Sequence, residues 1–153
     1  MRGMDVTRMP DGCKVKKGGR RGILIRVKTP FDWILSSPYG VALIDTKTTA
    51  EQSFPHSKIE WHQIYEMGLH ERNGVVAGYV IEFRGGYEIG FIAARDLQNR
   101  FHVRGSIRPG DPDVINLGSL TNFEPRRLFQ KYREQEAGRV PGTPSQGRAG
   151  VSN

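Results

Sequence analysis

The fold is decided by residues 29–47, which read TPFDWILSSPYGVALIDTK. Residues 39–44 are almost wholly apolar and rich in strand formers, as expected of a strand that is buried on both faces. This strand nevertheless ends in an acid, Asp45, and a base, Lys47. Side chains alternate along a strand, so the two point to the same face, and a turn at the Ser-Ser-Pro sequence folds Asp32 back beside them. The stretch therefore predicts two carboxylates and an ammonium at one point of a sheet.

This set of charges suits metal-dependent cleavage of a phosphodiester bond. Hydrolysis needs a cation that withdraws charge from the phosphate, a nucleophilic water and a group that stabilises the developing oxyanion. Carboxylate oxygens are hard ligands of the kind that Mg²⁺ and Mn²⁺ prefer. An Asp-x-Lys tripeptide is weak evidence by itself, but the apolar strand and the upstream acid strengthen it. We therefore predict a nuclease site in which Asp32 and Asp45 bind metal and Lys47 is catalytic.

Gln63 is a fourth candidate for the catalytic set. It stacks at helical spacing with Ile59 and Met67 on what should be the sheet-facing side of a helix, where a polar residue is unusual. It is either a core amide with satisfied hydrogen bonds or a group that hydrogen-bonds a carboxylate or water of the metal site. We favour the second interpretation.

The net charge of +7 is concentrated at one end of the chain. Residues 1–28 carry nine Lys and Arg residues against two Asp residues, which accounts for the whole excess. Clustered basic side chains favour a polyanion such as nucleic acid, because binding releases its condensed counterions. A solvated basic arm is the alternative. The predicted DNA-binding residues are Lys14, Lys16, Lys17, Arg20, Arg21, Arg26 and Lys28.

Composition excludes several other classes of protein. Cys13 is the single cysteine, so no intrachain disulfide can form, and the four histidines have no zinc-like spacing with it. No leader sequence or long apolar run suggests export or a membrane, so we expect the cytoplasm, or the host cytoplasm if the protein is viral. No phosphate-cradling glycine pattern precedes a helix, which argues against use of ATP.

The remaining pattern alternates groups of strands with single helices. A helix is expected to open at a capping box formed by Ser57 and Glu60 and to stop at Asn73-Gly74. A strand pair with a two-residue turn at Gly85-Gly86 should follow it. The other predicted elements are a basic hairpin at 12–17 and 22–27, strands at 31–35 and 114–117, a helix at 93–98, and a charged helix at 125–137 that opens near Asn122.

These elements predict one α/β domain. A single helix between groups of strands implies a mixed sheet rather than regular alternation. We expect a nuclease domain at 1–120 with the basic hairpin, a C-terminal helix at 121–137, and a disordered tail at 138–153 that has too few large apolar side chains to offset its ordering entropy.

The chain resembles the PD-(D/E)XK nuclease superfamily and, within it, the Holliday junction resolvases of the RecU and Hjc type. The resemblance extends over about residues 28–92 and rests on 29–32, 45–47, 52–55, 62–63 and Met67. It implies a restriction-endonuclease-like fold, with a central mixed β-sheet flanked by helices, and a homodimer that uses Mg²⁺ or Mn²⁺ to make paired cuts in branched, four-way DNA. By position, it assigns Asp32 and Asp45 as ligands, Lys47 and Gln63 as catalytic residues, and Ser53 as a helper that contacts DNA.

The sequence departs from the family at two points. Position 45 is aspartate where close relatives often have glutamate, which the superfamily pattern permits. The family also commonly supplies a glutamate from an N-terminal helix, whereas the only acids before Asp32 are Asp5 and Asp11. Two alternatives remain open: another endonuclease of the superfamily, of the flap, repair or restriction type, and a protein that only binds DNA junctions.

Overall fold

The computed structural model describes residues 5–8, 12–16, 23–27, 31–119, 121–123 and 126–139, and before residue 31 it describes the backbone alone. These residues form strands β1 (Asp5–Arg8), β2 (Gly12–Lys16), β3 (Ile23–Val27), β4 (Trp33–Ser37), β5 (Gly40–Thr49), β6 (Phe54–Pro55), β7 (Val76–Phe83), β8 (Glu88–Ala93), β9 (Ser106–Ile107), β10 (Val114–Ser119) and β11 (Asn122–Phe123). The α-helices are α1 (Trp61–Arg72), α2 (Ala94–Asn99) and α3 (Arg126–Ala137).

Seven strands form one mixed sheet in the order β1-β4-β5-β7-β8-β10-β11. Only β5 and β7 pair in parallel, and the other neighbours in this sheet are antiparallel. A parallel pair needs a crossover connection, and α1 lies in that connection. The predicted α/β class, with a central mixed sheet flanked by helices, is confirmed.

Each face of the sheet packs against its own helices. One cluster of buried side chains joins Leu43 and Ile81 of the sheet to Ile64 of α1 and Leu97 of α2. The second cluster, on the opposite face, includes Leu128 of α3. Odd-numbered residues of β5 therefore face α1, and even-numbered residues face α3. Four successive residues of β5, 42–45, are buried, which confirms that this strand is covered on both faces.

The turn between β4 and β5 brings the first half of residues 29–47 back along the second half. Ser37 pairs with Gly40, so the hairpin loop is Pro38 and Tyr39. Gly40 has φ +143°, a backbone conformation that residues with a Cβ rarely adopt. The strand starts at Trp33 rather than at residue 31, and Asp32 immediately precedes it.

The predicted hairpin at 12–17 and 22–27 is present as the antiparallel pair of β2 and β3. Three of the basic residues predicted to bind DNA lie on these strands, namely Lys14, Lys16 and Arg26, and the structure describes only their backbone. The other four basic residues of that set lie outside the described residues. We did not anticipate β1, which pairs with β4 and extends the sheet.

The predicted capping box is wrong. Ser57 lies in a 3-10 turn, His56–Lys58, and Glu60 precedes α1 without a side-chain capping bond. Instead, the Glu60 N–H donates to the Tyr79 hydroxyl at 3.1 Å, and the Glu60 carboxylate lies 3.4 Å from the ammonium of Lys47. A charged partner is a better alternative for this carboxylate than a neutral backbone N–H. The body of the helix is where the sequence predicts it.

The two-residue turn predicted between β7 and β8 is also wrong. Phe83 pairs with Glu88, which leaves a four-residue loop containing a 3-10 turn, Arg84–Gly86, and Tyr87 at φ 56°. The loop packs against the end of β5. A Cβ on Gly85 would lie 2.8–2.9 Å from backbone atoms of residues 50–52, which explains the glycine there.

The C-terminal part belongs to the same body as the sheet. Helices α2 and α3 agree with prediction to within a residue, but Asn122 lies on β11 and does not open α3. Arg139, placed in the predicted tail, binds both carboxylate oxygens of Asp96 at 2.7 and 2.9 Å. Residues 140–153 lie outside the described residues. No helix in the described ranges is long and apolar enough to span a membrane.

The close pairing of β7 and β8 predicts that Gly78→Ala destabilises the protein. The new Cβ would lie 2.1 Å from the Ile92 carbonyl oxygen, so we expect the free energy of unfolding to fall by about 1–3 kcal/mol or more in urea denaturation. Gly110→Ala is the matched control, because a Cβ there has no atom within 4 Å. Equal stability of the two variants would contradict this register.

Candidate active site

The β4–β5 hairpin places Asp32 at the side of β5. The Asp32 N–H donates to the Ile44 carbonyl at 2.9 Å. The Asp32 carboxylate accepts from the Thr46 hydroxyl at 3.3 Å and from the Thr46 N–H at 3.5 Å. These contacts place Asp32 beside Asp45, which lies thirteen positions later in the sequence, and Asp32 stays exposed to solvent. The sequence-based placement of the two acids side by side agrees with this geometry.

Asp45 and Lys47 form an ion pair on the α1 face of the sheet. The Lys47 Nζ lies 2.6 Å from the Asp45 Oδ2. Asp45 is only 2% exposed, and the Lys47 side chain is 18% exposed, so the pair sits in a shallow recess rather than in bulk water. Both project toward α1 because they share the odd-numbered face of β5 with Leu43.

The environment of Asp45 disfavours its negative charge. Burial raises the pKa of Asp45 to about 6, the Lys47 ammonium acts in the opposite direction, and the neighbouring Asp32 carboxylate adds to the rise. Although Lys47 is close, the Asp45 Oδ2 accepts no hydrogen bond of good geometry from the described residues. The contact is therefore an ion pair that leaves lone pairs of this buried oxygen available.

The two carboxylates fit a hard divalent cation. A cation between them would relieve their repulsion and satisfy the buried oxygen of Asp45. Among the side chains that the structure describes, no three His, Cys, Asp or Glu residues form a metal-binding group. Asp32 and Asp45 thus offer two protein ligands. Mg²⁺ is commonly held by one or two carboxylates, with water and substrate phosphate completing its shell.

Glu60 and Tyr79 hold Lys47 from the side of α1. Glu60 Oε1 lies 3.4 Å from the Lys47 Nζ, and the ammonium stands 4.9 Å from the centre of the Tyr79 ring. The Tyr79 hydroxyl accepts the Glu60 N–H at 3.1 Å and donates to the Gln63 Oε1 at 3.2 Å. Burial raises the pKa of Tyr79, so this hydroxyl stays protonated and able to donate.

Gln63 lies on the sheet-facing side of α1, as its spacing predicts, and it is buried. Its amide oxygen is satisfied by Tyr79, and it is linked to Lys47 through Tyr79 and Glu60. The amide oxygen thus bonds Tyr79 rather than a carboxylate of the site, and the catalytic role of Gln63 stays a prediction. Ser53 lies after the end of β5, where its carbonyl accepts from the Thr49 hydroxyl at 3.1 Å. Its assignment as a DNA-contacting residue stays a prediction.

The sequence reasoning missed Glu60 and Tyr79. The sequence pattern places Glu60 in a capping box and so does not single it out as an acid of the site. Tyr79 is inconspicuous in an apolar strand, and its proximity to Asp45 follows from the parallel register in which the two residues are partners. A signal existed for Tyr79, because β7 is apolar on both faces and a buried tyrosine hydroxyl needs a hydrogen-bond partner.

No protein-family model matches this chain, and no curated protein sequence matches it significantly. Among solved structures, the chain is similar to that of Hjc from Archaeoglobus fulgidus, described as a Holliday junction resolvase from an archaeal hyperthermophile. The TM-score is 0.41 and the sequence identity 14%, over 61% of this chain and 65% of that chain. This chain therefore covers less than two thirds of that structure's length. The function of the site is accordingly inferred from its own residues.

The raised pKa of Asp45 predicts that Asp45→Asn stabilises the metal-free protein at pH 8. The folded state disfavours the charge that the unfolded state carries above about pH 4, so this group lowers stability as the pH rises from 3.8 to about 6. Asparagine removes that penalty, which is about 3 kcal/mol for a pKa raised from 3.8 to about 6.

Urea denaturation in a chelator, at pH 8 and at pH 4, measures this effect. We expect the gain at pH 8 to shrink at pH 4, where Asp45 is protonated in the folded state and only partly ionised in the unfolded state. Asp32→Asn is the control and should show a smaller gain, because Asp32 is exposed. A gain from Asp45→Asn that does not depend on pH would contradict the assignment.

Proposed function

We propose that this chain is a metal-dependent endodeoxyribonuclease that resolves four-way DNA junctions. One observation carries the proposal. The buried Asp45 carboxylate lies 2.6 Å from the Lys47 ammonium, and a second carboxylate, that of Asp32, lies beside Asp45 in a chain whose net charge is +7. Burial of this charge disfavours folding, whereas an ion pair with a purely structural role could lie on the surface and keep its hydration. A role in function therefore explains the burial of Asp45 better than a role in stability does.

The residues divide the chemistry among them. Asp32 and Asp45 would bind Mg²⁺ or Mn²⁺, which when bound withdraws charge from the scissile phosphate and increases the acidity of water. Lys47 donates hydrogen bonds to the attacking water or to the phosphate oxygen on which charge develops. Glu60 and Tyr79 act as positioning residues, because they limit the places the Lys47 ammonium can occupy.

The substrate that we propose for this site is a four-way DNA junction. It is supported by the resemblance of residues 28–92 to junction resolvases and by the basic residues before position 28. A two-fold symmetric homodimer would present two equivalent sites to a junction that has matching symmetry and would cut two opposed strands. The basic hairpin would contact phosphates along the arms.

The proposal predicts that Asp32→Asn and Asp45→Asn each lower the rate of junction cleavage in Mg²⁺ by roughly 100-fold or more, because each removes a ligand charge. Junction binding, measured by fluorescence anisotropy in a chelator, should be kept or strengthened, because one negative charge that repels phosphate is gone. Cleavage is followed on a labelled synthetic junction.

Glu66→Gln serves as the control, since it also removes one exposed carboxylate charge from this part of the chain. It should leave both cleavage and binding within about twofold of the original protein. Cutting at the original rate by either aspartate variant would refute the assignment of this site. Equal loss of cutting in Glu66→Gln would trace the effect to charge in general.

A further inference from the structure

An aromatic groove lies between α1 and the segment that follows α2. Its walls include Trp61, Tyr65 and Phe101, and its floor includes Ile64. The groove has a volume of about 440 Å³ and opens to solvent. Ile64 is fully buried, whereas Tyr65 is 61% exposed and Phe101 is 47% exposed. The floor therefore belongs to the core, and the aromatic walls have surface available for a ligand.

The ring arrangement suits stacking against a flat ligand. Trp61 and Phe101 meet edge to face, with ring centroids 4.8 Å apart. Phe101 also contacts the ring of His102, with ring centroids 3.9 Å apart, so two neighbouring rings orient Phe101 while 47% of the residue stays exposed. Large exposed aromatic side chains that cluster around one concavity commonly mark a binding site rather than scattered surface residues.

Polar groups at the groove match a nucleotide. Arg72 supplies a positive charge, and Gln98 supplies an amide that is held in place. The Gln98 Nε2 donates to the Ile64 carbonyl at 3.3 Å and lies only 2.2 Å from where a Cβ on Gly68 would be. Because Gly68 has no side chain, the Gln98 side chain has room to lie against α1. An aromatic wall, an amide and an arginine are the groups that hold an unpaired base and its phosphate.

The groove begins beside the candidate active site. Trp61 follows Glu60, whose carboxylate contacts Lys47 at 3.4 Å. His62, which also lines the groove, places its Nε2 3.9 Å from the other carboxylate oxygen of Glu60. A strand with its phosphate at Asp45 and Lys47 would therefore have its neighbouring nucleotides close to this groove.

We propose that the groove binds an unpaired base of the DNA strand that is cut, next to the scissile phosphate. This inference rests on the proposed function and adds a substrate feature to it, namely an unstacked nucleotide at the branch point. Bases at a branch or mismatch leave the stack at the lowest cost, so the groove would favour branched over regular duplex DNA. A second copy of the chain is the competing occupant. A stable dimer needs about 1,200 Å² or more of total buried surface, more than a groove of this size offers by itself.

Binding to a bulged duplex tests the inference. The duplex carries either three unpaired nucleotides or three abasic residues with the same phosphates, and anisotropy is measured in a chelator so that no cutting occurs. We expect the intact bulge to bind about 5- to 100-fold more tightly than the abasic one. Phe101→Ala and Tyr65→Ala should each reduce this ratio toward one. Tyr39→Ala, which removes an exposed aromatic from the β4–β5 turn, should preserve it.

Fluorescence of Trp61 in a Trp33→Phe background provides a second readout that leaves every residue of the groove unchanged. The intact bulge should quench this fluorescence and the abasic bulge should not. An unchanged base preference in both groove variants would overturn the inference. If these variants instead change from dimer to monomer in sedimentation while their base preference stays the same, a second copy of the chain occupies the groove, and the inference is overturned as well. Failure of the proposed function would appear separately, as an absence of metal-dependent cutting by the original protein.

Discussion

The central constraint of this structure is a buried carboxylate that has no complete partner. Asp45 is almost fully enclosed, its pKa is raised to about 6, and its Oδ2 faces the Lys47 ammonium at 2.6 Å without a well-formed hydrogen bond. Removing such a group from water without full compensation disfavours folding. The surrounding elements confine this unfavourable burial to one defined point, where the proposed cation and phosphate would offset it.

Three features of the fold fix that point. The β4–β5 hairpin brings Asp32 beside Asp45, the parallel pairing of β5 with β7 sets Tyr79 next to it, and the crossover places the first residues of α1 over both strands. Strand β5 contributes side chains to both cores, so its position is determined from two sides. A lysine held by Glu60 and Tyr79 has few alternative positions, and a catalytic group needs such preorganisation.

Asp32, Asp45 and Lys47 could be grouped from the sequence because their proximity depends on strand alternation and one tight turn, which are local properties. The roles of Glu60 and Tyr79 could not, since they depend on which strand pairs with β5 and where α1 docks. The capping-box pattern at Ser57 and Glu60 was misleading because a local hydrogen bond competes there with a tertiary ion pair. The β7–β8 loop was misjudged for a similar reason, as its shape follows from Gly85 packing against residues 50–52.

The activity that we propose for this site is the cutting of branched DNA with the aid of a divalent cation. The most direct test incubates the unmodified protein with a labelled four-way junction and, separately, with linear duplex of the same sequence, in Mg²⁺, in Mn²⁺ or in a chelator. We expect paired, symmetric cuts that are confined to the junction and disappear in the chelator. Equal cutting of the linear duplex would contradict junction selectivity, and no cutting in either metal would contradict the enzymatic assignment itself.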